Sequence, residues 1–444
     1  MAVERLQIHT NFQPKKCGET SIVGDEDRIS QLPDDILVNN ILPLLSLKEA
    51  GRTSVLSSRW TNLWAHIPRL NFDAKSALHV IERHKYVEWM DSVIRSREFL
   101  SLKEFNICYR IDKSSRKSVT RWLEFAFARQ LERLTLDFQE NTTGTTYCFP
   151  EALLNRSTLV GFKSLKAIVF KSVSLSGGAI EFLLRNCQLL EQLVVQESET
   201  TTKLQVCGGS SLKLEHLEMV HCQGLKSLKV SAPRLTTLKV SRVKGLLLEK
   251  VPMLVNVSVN FCDDNSVSIK HAFSVLACCI PQLQTLCLTL YNCGYGWIGH
   301  VKEIDEICEL PVMPKLNKLV IEYIANGDES LVRLSALIRA SPNLEEFLFH
   351  FKWCRIPRKD RKTKAATTIR SPHNHLKVFK FRGYYGCTND VELLSYVLEN
   401  CAVLEKIIID PNDGIHPKEE YIPRKVIKQK LEPQVPQRIE LVIL

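Results

Sequence analysis

FLLRNCQLLEQLVV runs from Phe182 to Val195, and YVLENCAVLEKIII runs from Tyr396 to Ile409. Both read the same way: a short helix with an apolar stripe, a small or polar turn, then a strand rich in Val, Ile and Leu. LIRASPNLEEFLF (Leu337 to Phe349) is a third copy, and VLACCIPQLQTLCL (Val275 to Leu288) is the same unit with one extra residue. Such a unit has an apolar face that it cannot bury alone. Stacked copies bury it against each other and align their strands in one curved parallel sheet.

Working outward, the strand half of the unit, Leu-x-x-Leu-x-Leu, returns along most of the chain. It appears as LERLTL from Leu131, LEQLVV from Leu190, LEHLEM from Leu214, LKSLKV from Leu225, LTTLKV from Leu235, LQTLCL from Leu283 and LNKLVI from Leu316. LKEFNI, LKAIVF, LEEFLF, LKVFKF and LEKIII are looser copies. Starts fall mostly about 24–34 residues apart, the period of leucine-rich repeats. Leu225 and Leu235 are closer, so the repeats there are expected to be short and nearly free of helix. One such motif alone also fits the stripe of an amphipathic helix. A long series, each copy behind its own helix pattern, favours the strand.

The chain has 444 residues, 45% of them apolar, which sets it apart from disordered sequences. Its 15 cysteines have no short regular spacing and read as reduced thiols. Met1 to Thr10 has no apolar signal core, and no apolar run approaches the roughly 18 residues needed to cross a bilayer. The expected setting is the nucleus or cytoplasm, with no membrane partner, so the sequons at Asn141, Asn155 and Asn256 carry no weight. The net charge of +10, from 59 basic and 49 acidic side chains, is a mild excess. Without a nucleic-acid signature it does not argue for a nucleic-acid partner.

Few residues suggest chemistry. Gly294, Gly296 and Gly299 form a literal G-x-G-x-x-G, with Glu322 beyond it, the strongest hint of a nucleotide enzyme. The repeat itself supplies that strand–helix–strand context, and Pro311 and Pro314 interrupt it, so a loop between repeats is the plainer reading. Cys278 and Cys279 are adjacent, no Cys-x-x-Cys exists, and His373 and His375 lack partners at zinc spacing. Cys187 and Cys401 occupy matching repeat positions, as small buried residues at the turn into the strand. The basic stretch Lys352 to Arg370 reads as a solvated loop, or as an acidic-partner or nuclear-import segment. No catalytic role, cofactor or metal is expected.

The N-terminal part differs in kind. Residues 27–73 read DRISQLPDDILVNNILPLLSLKEAGRTSVLSSRWTNLWAHIPRLNFD. Pro33 suits a first helical turn, with Asp34 and Asp35 favoured by the helix dipole. Leu37, Ile41 and Leu45 recur at four-residue spacing, Ser46 with Glu49 is a capping box, and Leu56, Trp60, Leu63 and Trp64 form a second stripe. So short a segment has more apolar surface than it can bury alone.

This segment resembles a plant-type F-box through Leu32-Pro33-Asp34, Ile36-Leu37, Arg52 to Ser57, Arg59-Trp60 and Leu63-Trp64. The resemblance implies docking on a Skp-family adaptor, and through it on a cullin. Leu32, Pro33, Ile36, Leu37, Ile41, Leu42, Val55, Leu56 and Trp60 would lie in or support that interface. Between Ile36-Leu37 and Arg52 the chain is one residue longer than the family spacing, near Asn39-Asn40, and Pro43 follows. The first helix is therefore expected to end early or to bulge. His375 to Pro411 resembles the FBD region that closes many such proteins, through Leu376-Lys377-Val378, Arg382-Gly383-Tyr384 and Asn400-Cys401 through Asp410-Pro411.

The expected fold is α/β, a small all-helical F-box module followed by a leucine-rich-repeat solenoid with a curved parallel sheet. The expected divisions are a tail at 1–26, the F-box at 27–73, repeats at 74–374, FBD-like repeats at 375–411 and a tail at 412–444. The resemblance implies a substrate receptor of a ubiquitin ligase with an unknown protein target. A repeat scaffold without ligase function is the alternative. Within each repeat strand, the third and fifth positions face the concave side, opposite the leucines. Lys229, Lys239, Lys318 and Lys380 are the expected target-binding residues there. Lys229 and Lys239 are expected on consecutive strands, with Lys171 extending their field.

Overall fold

Alternate residues of the repeat strands are fully buried and the residues between them are not, the two-residue period of a sheet with one covered face. The structure, a computed structural model, describes residues 28–444 apart from 75–79, 97–101, 112–113, 139–145, 155–161, 200, 209–210, 242–243, 262–268, 293–309, 326–329, 355–371 and 418–421. The N-terminal tail, the Gly294 to Gly299 loop, most of the basic stretch and the sequons at Asn141 and Asn155 lie outside the described residues.

The chain forms two units, divided after Trp64. In the first, a helical turn, Asp34–Ile36, runs into a π-helical segment, Leu37–Ile41, and then a 3-10 turn, Leu42–Leu44. A short α-helix, Leu47–Arg52, follows, and 3-10 turns at Thr53–Val55 and Ser58–His66 continue the chain.

In the second unit the strands are β1 (Arg69–Asp73), β2 (Glu104–Cys108), β3 (Arg133–Asp137), β4 (Tyr147–Cys148), β5 (Ala167–Lys171) and β6 (Val173–Ser174). Then come β7 (Gln192–Gln196), β8 (Lys203–Cys207), β9 (His216–Val220), β10 (Ser227–Ser231), β11 (Thr237–Val240), β12 (Leu246–Glu249) and β13 (Asn256–Asn260). The last are β14 (Thr285–Asn292), β15 (Lys318–Ala325), β16 (Glu346–Trp353), β17 (Val378–Arg382), β18 (Lys406–Asp410) and β19 (Glu440–Ile443). Fourteen of them form one sheet, β1-β2-β3-β5-β7-β9-β11-β13-β14-β15-β16-β17-β18-β19, parallel throughout. Register is fixed at each strand start. The N–H groups of Glu191 and Gln192, for example, both donate to the Lys166 carbonyl of the preceding repeat, at 2.8 and 3.0 Å.

Helices cover the leucine face. The helix Gly177–Asn186 is capped by Ser176, whose Oγ accepts from the Ala179 N–H at 3.1 Å, and it buries Ala179, Ile180, Leu183 and Leu184. It stops at Cys187, and the helix Thr388–Asn400 stops at Cys401, both cysteines buried as the repeat alignment requires. Burial pushes both thiols up to about 12, so they are packing groups at neutral pH. Towards the C-terminal end the core turns aromatic: Phe347 stacks on Phe379 at 5.5 Å, and Phe351 meets Trp353 edge-on at 4.3 Å.

Four expectations change. The strand of LKSLKV is β10, which pairs with β8 and β12 in a separate three-stranded parallel sheet. With Leu225 and Leu235 only ten positions apart there is no room for a helix, so alternate strands take the helical layer's place. The helix Gly177–Asn186 packs beside β8, and the helix Ile269–Leu276 packs beside β12. The helical module ends before residue 73: Leu70 and Phe72 are fully buried in β1, the first strand of the sheet. Residues 412–444 are not simply a tail, because they include a helix, Arg424–Leu431, and β19, which extends the sheet from β18. Ten described cysteines are free thiols, but Cys354 is disulfide-bonded, against the expectation of reduced thiols.

Candidate functional site

The first unit buries little and exposes much. Leu37, Leu42 and Ala50 are fully buried, and Val38, Leu47, Trp60 and Leu63 are nearly so. Six of the thirteen large apolar side chains exposed among the described residues nevertheless lie between Ile29 and Leu56. Val55 is 87% exposed, Leu44 83% and Leu56 64%, with Ile29, Ile36 and Leu45 also exposed. Isolated exposed leucines are ordinary, but this density in one short segment makes it a candidate interaction surface.

Backbone chemistry fixes that surface. The extra residue near Asn40 is taken up by the π turn, in which the Leu42 N–H reaches back five residues to the Leu37 carbonyl. This keeps Leu37 and Leu42 on one buried face although they are five apart, where a regular helix brings residues four apart together. Pro43 then sits in the first turn of the next segment, where its missing N–H is harmless. The capping box forms as expected: Ser46 Oγ accepts from the Glu49 N–H at 3.3 Å, and the Ser46 N–H donates to Glu49 Oε2 at 2.9 Å. The Ser46 hydroxyl also donates to Glu49 Oε2 at 2.7 Å, and this bond, with that from the Ser46 N–H, holds the Glu49 carboxyl below its ordinary range.

Of the nine residues expected at the adaptor interface, Pro33, Ile36, Val55 and Leu56 are exposed, and Leu32 and Ile41 are half-buried. Leu37, Leu42 and Trp60 are buried in the core of the module. Leu44 and Leu45, outside that set, are exposed. Arg59 has a role that spacing did not reveal. Its guanidinium pairs with Asp34 Oδ1 at 2.6 Å and donates to the Ser30 and Leu32 carbonyls, so it pins the Leu-Pro-Asp turn. The signal available in the sequence was the Arg59 side chain twenty-five residues from Asp34; only the fold brings them together.

The sheet face opposite the helices is the second candidate surface. Lys239, Lys318 and Lys380 lie on it, on β11, β15 and β17. Lys229 does not: it belongs to β10 of the small sheet, so it is no neighbour of Lys239. The lysines are also largely neutralised where they stand. Lys229 pairs with Glu249 at 3.0 Å, Lys239 with Glu218 at 2.9 Å, Lys318 with Glu346 at 3.0 Å and Lys171 with Asp137 at 3.6 Å. Lys380 has no ion pair among the described residues.

Glu218 centres a network. It accepts from Gln196 Nε2 at 2.6 Å and lies 3.7 Å from His216 Nε2. Burial pushes its pKa up, but the bonds from His216, Lys239 and Gln196 outweigh that and hold it at about 2. Glu322, beside His350 at 3.7 Å and Lys352 at 3.1 Å, is likewise held at about 2, first by His350. Among the described residues, no group of three or more His, Cys, Asp or Glu could hold a metal ion, and no helix is long and apolar enough to cross a membrane.

An exposed apolar helical module joined to a parallel repeat sheet defines a class, and comparison with known proteins names it. Residues 155–432, well over half of the chain, match the family model described as the At1g61320/AtMIF1 LRR domain. The chain belongs to the plant F-box/FBD/LRR-repeat family. From Arabidopsis thaliana, the F-box/FBD/LRR-repeat protein At4g00160 is 31% identical over 195 residues, 40% of this chain and 43% of that protein. The FBD-associated F-box protein At5g22730 is 22% identical over 93% of this chain and 95% of its own length. The F-box/LRR-repeat protein At3g26922 is 29% identical over 55% of this chain and 86% of its own.

Proposed function

We propose that this chain is the non-catalytic substrate receptor of a Skp-cullin-F-box ubiquitin ligase. The helical module docks on a Skp-family adaptor, and the open face of the sheet holds a protein target. The observation that carries the reading is the cluster of exposed apolar side chains, Ile36, Leu44, Val55 and Leu56, in a module held rigid by a capping box and by Arg59. Burying each of these side chains is worth up to about 1.5–3 kcal/mol, enough in sum for a specific protein complex. The ligase then gains rate by raised effective concentration of the target near the loaded enzyme, with no chemistry asked of the receptor.

The test is a titration of the purified chain with a purified plant Skp adaptor. A one-to-one complex of micromolar or tighter affinity is expected. An adaptor that shows no binding to the folded chain contradicts the proposal.

A further inference from the structure

The open face changes character along the sheet. In the row through the middle of β1 to β3, the outward side chains are Asn71, Asn106 and Thr135. The same row on β14 to β19 reads Cys287, Val320, Leu348, Lys380, Ile408 and Val442, all half-buried. An apolar stripe thus crosses six consecutive strands, broken once by a lysine. The sheet is also deepest here. Strands β14, β15 and β16 have eight residues each, where the others of that sheet have four or five.

The rows on either side cancel their own charge. On one side Lys318 pairs with Glu346 at 3.0 Å and Lys406 with Glu440 at 3.1 Å. On the other, Glu322 pairs with Lys352, two residues further along β16, at 3.1 Å, and Arg382 pairs with Asp410 at 3.5 Å. Lys380 is the exception, a cation in the stripe with no acid partner among the described residues. What fits is a partner that offers apolar groups on both sides of one carboxylate.

Spacing selects the form of that partner. Leu348, Lys380 and Ile408 are register partners on adjacent strands, so their steps are about 4.8 Å. Side chains three or four apart on a helix are about 5–6 Å apart. Alternate side chains of an extended chain are about 6.6 Å apart, a poorer match. We propose that the stripe from β15 to β18 binds an amphipathic helix of the target, carrying an acidic residue between apolar ones at successive i, i+3 or i+4, and i+7 positions. The inference rests on the receptor reading and gives its target surface a chemistry.

The probe is a display library of helical peptides randomised on one face and selected on the full chain, with Lys380→Glu and Leu348→Asn in parallel. Enriched peptides should carry the apolar–acidic–apolar pattern. Lys380→Glu should weaken them at least tenfold, and selection on that variant should exchange the central acid for Lys or Arg. Leu348→Asn, its fold checked by circular dichroism, should weaken them without altering the central preference. Peptides that bind all three proteins equally, or a selection that yields no such pattern, overturn the inference. Adaptor binding is measured separately on the same wild-type protein, so its loss counts against the receptor reading alone, and a failed selection with adaptor binding intact counts against the stripe alone.

Discussion

Gly383 has a backbone φ of +81°, and a Cβ there would sit 1.9 Å from the Phe351 carbonyl oxygen of the preceding repeat. Its N–H donates to the Asp410 carbonyl at 2.7 Å, and its own carbonyl accepts from Trp353 Nε1 at 3.1 Å. Gly383→Ala must therefore both strain the backbone and push two repeats apart. A loss of at least about 1–3 kcal/mol is expected in chemical denaturation; an unchanged midpoint would show that the neighbouring strand yields. The Arg-Gly-Tyr motif was legible in the sequence, but its reason was not, because the crowding atom belongs to another repeat. Two carboxyls give pH signatures of opposite sign. Glu218, held at about 2, contributes stability that is fully present above its ordinary pKa of 4.5 and is lost as pH falls towards 2. Asp390 is fully buried and is pushed up to about 7 by burial, against the N–H groups of Tyr385 and Cys387 that favour its charged form. Its folded pKa lies above 3.8, so its contribution falls as pH rises from about 4 to 7. Glu218→Gln should flatten the acid limb of a stability–pH profile, and Asp390→Asn should flatten the limb between 4 and 7. Profiles that overlay the wild type would contradict both assignments.

At the scale of elements, the π turn accommodates the extra residue within the module's helical start. Leu37 and Leu42, five apart, occupy the places that a regular helix gives to residues four apart. Deleting the exposed Asn40 should restore ordinary helical spacing and leave both leucines buried. The melting temperature should stay level or rise, while Leu42→Ala should cost about 2–5 kcal/mol; unfolding of the deletion variant would show that the π turn is required. The capping box, the repeat strands and the helix stops at Cys187 and Cys401 were readable because each depends on residues close in sequence. The extra residue was visible as a spacing anomaly, but not the hydrogen bonds that absorb it. The misplacement of Lys229 has an equally plain cause. Hydrophobic alternation is identical in β10 and β11, and only the ten-residue gap between Leu225 and Leu235 distinguishes a strand of the small sheet from one of the large sheet. The strand β13, whose LVNVSV has valines in place of the motif's second and third leucines, escaped the pattern, as did β19, where Arg438 stands in place of the first leucine.

For the whole molecule, the receptor reading requires that the exposed apolar residues act in binding and not in folding. Leu37, Leu42 and Trp60 cannot test this, since their loss would open cavities in a small core. Val55 and Leu56 can, because they touch solvent in the free chain and carry little of its stability. The most direct measurement is calorimetric titration of a plant Skp adaptor into the full chain and into a Val55→Asp, Leu56→Asp variant, with thermal unfolding of both run alongside. Two desolvated carboxylates at the contact should weaken binding at least a hundredfold with the unfolding temperature unchanged. Equal affinity in the two folded proteins would contradict the account.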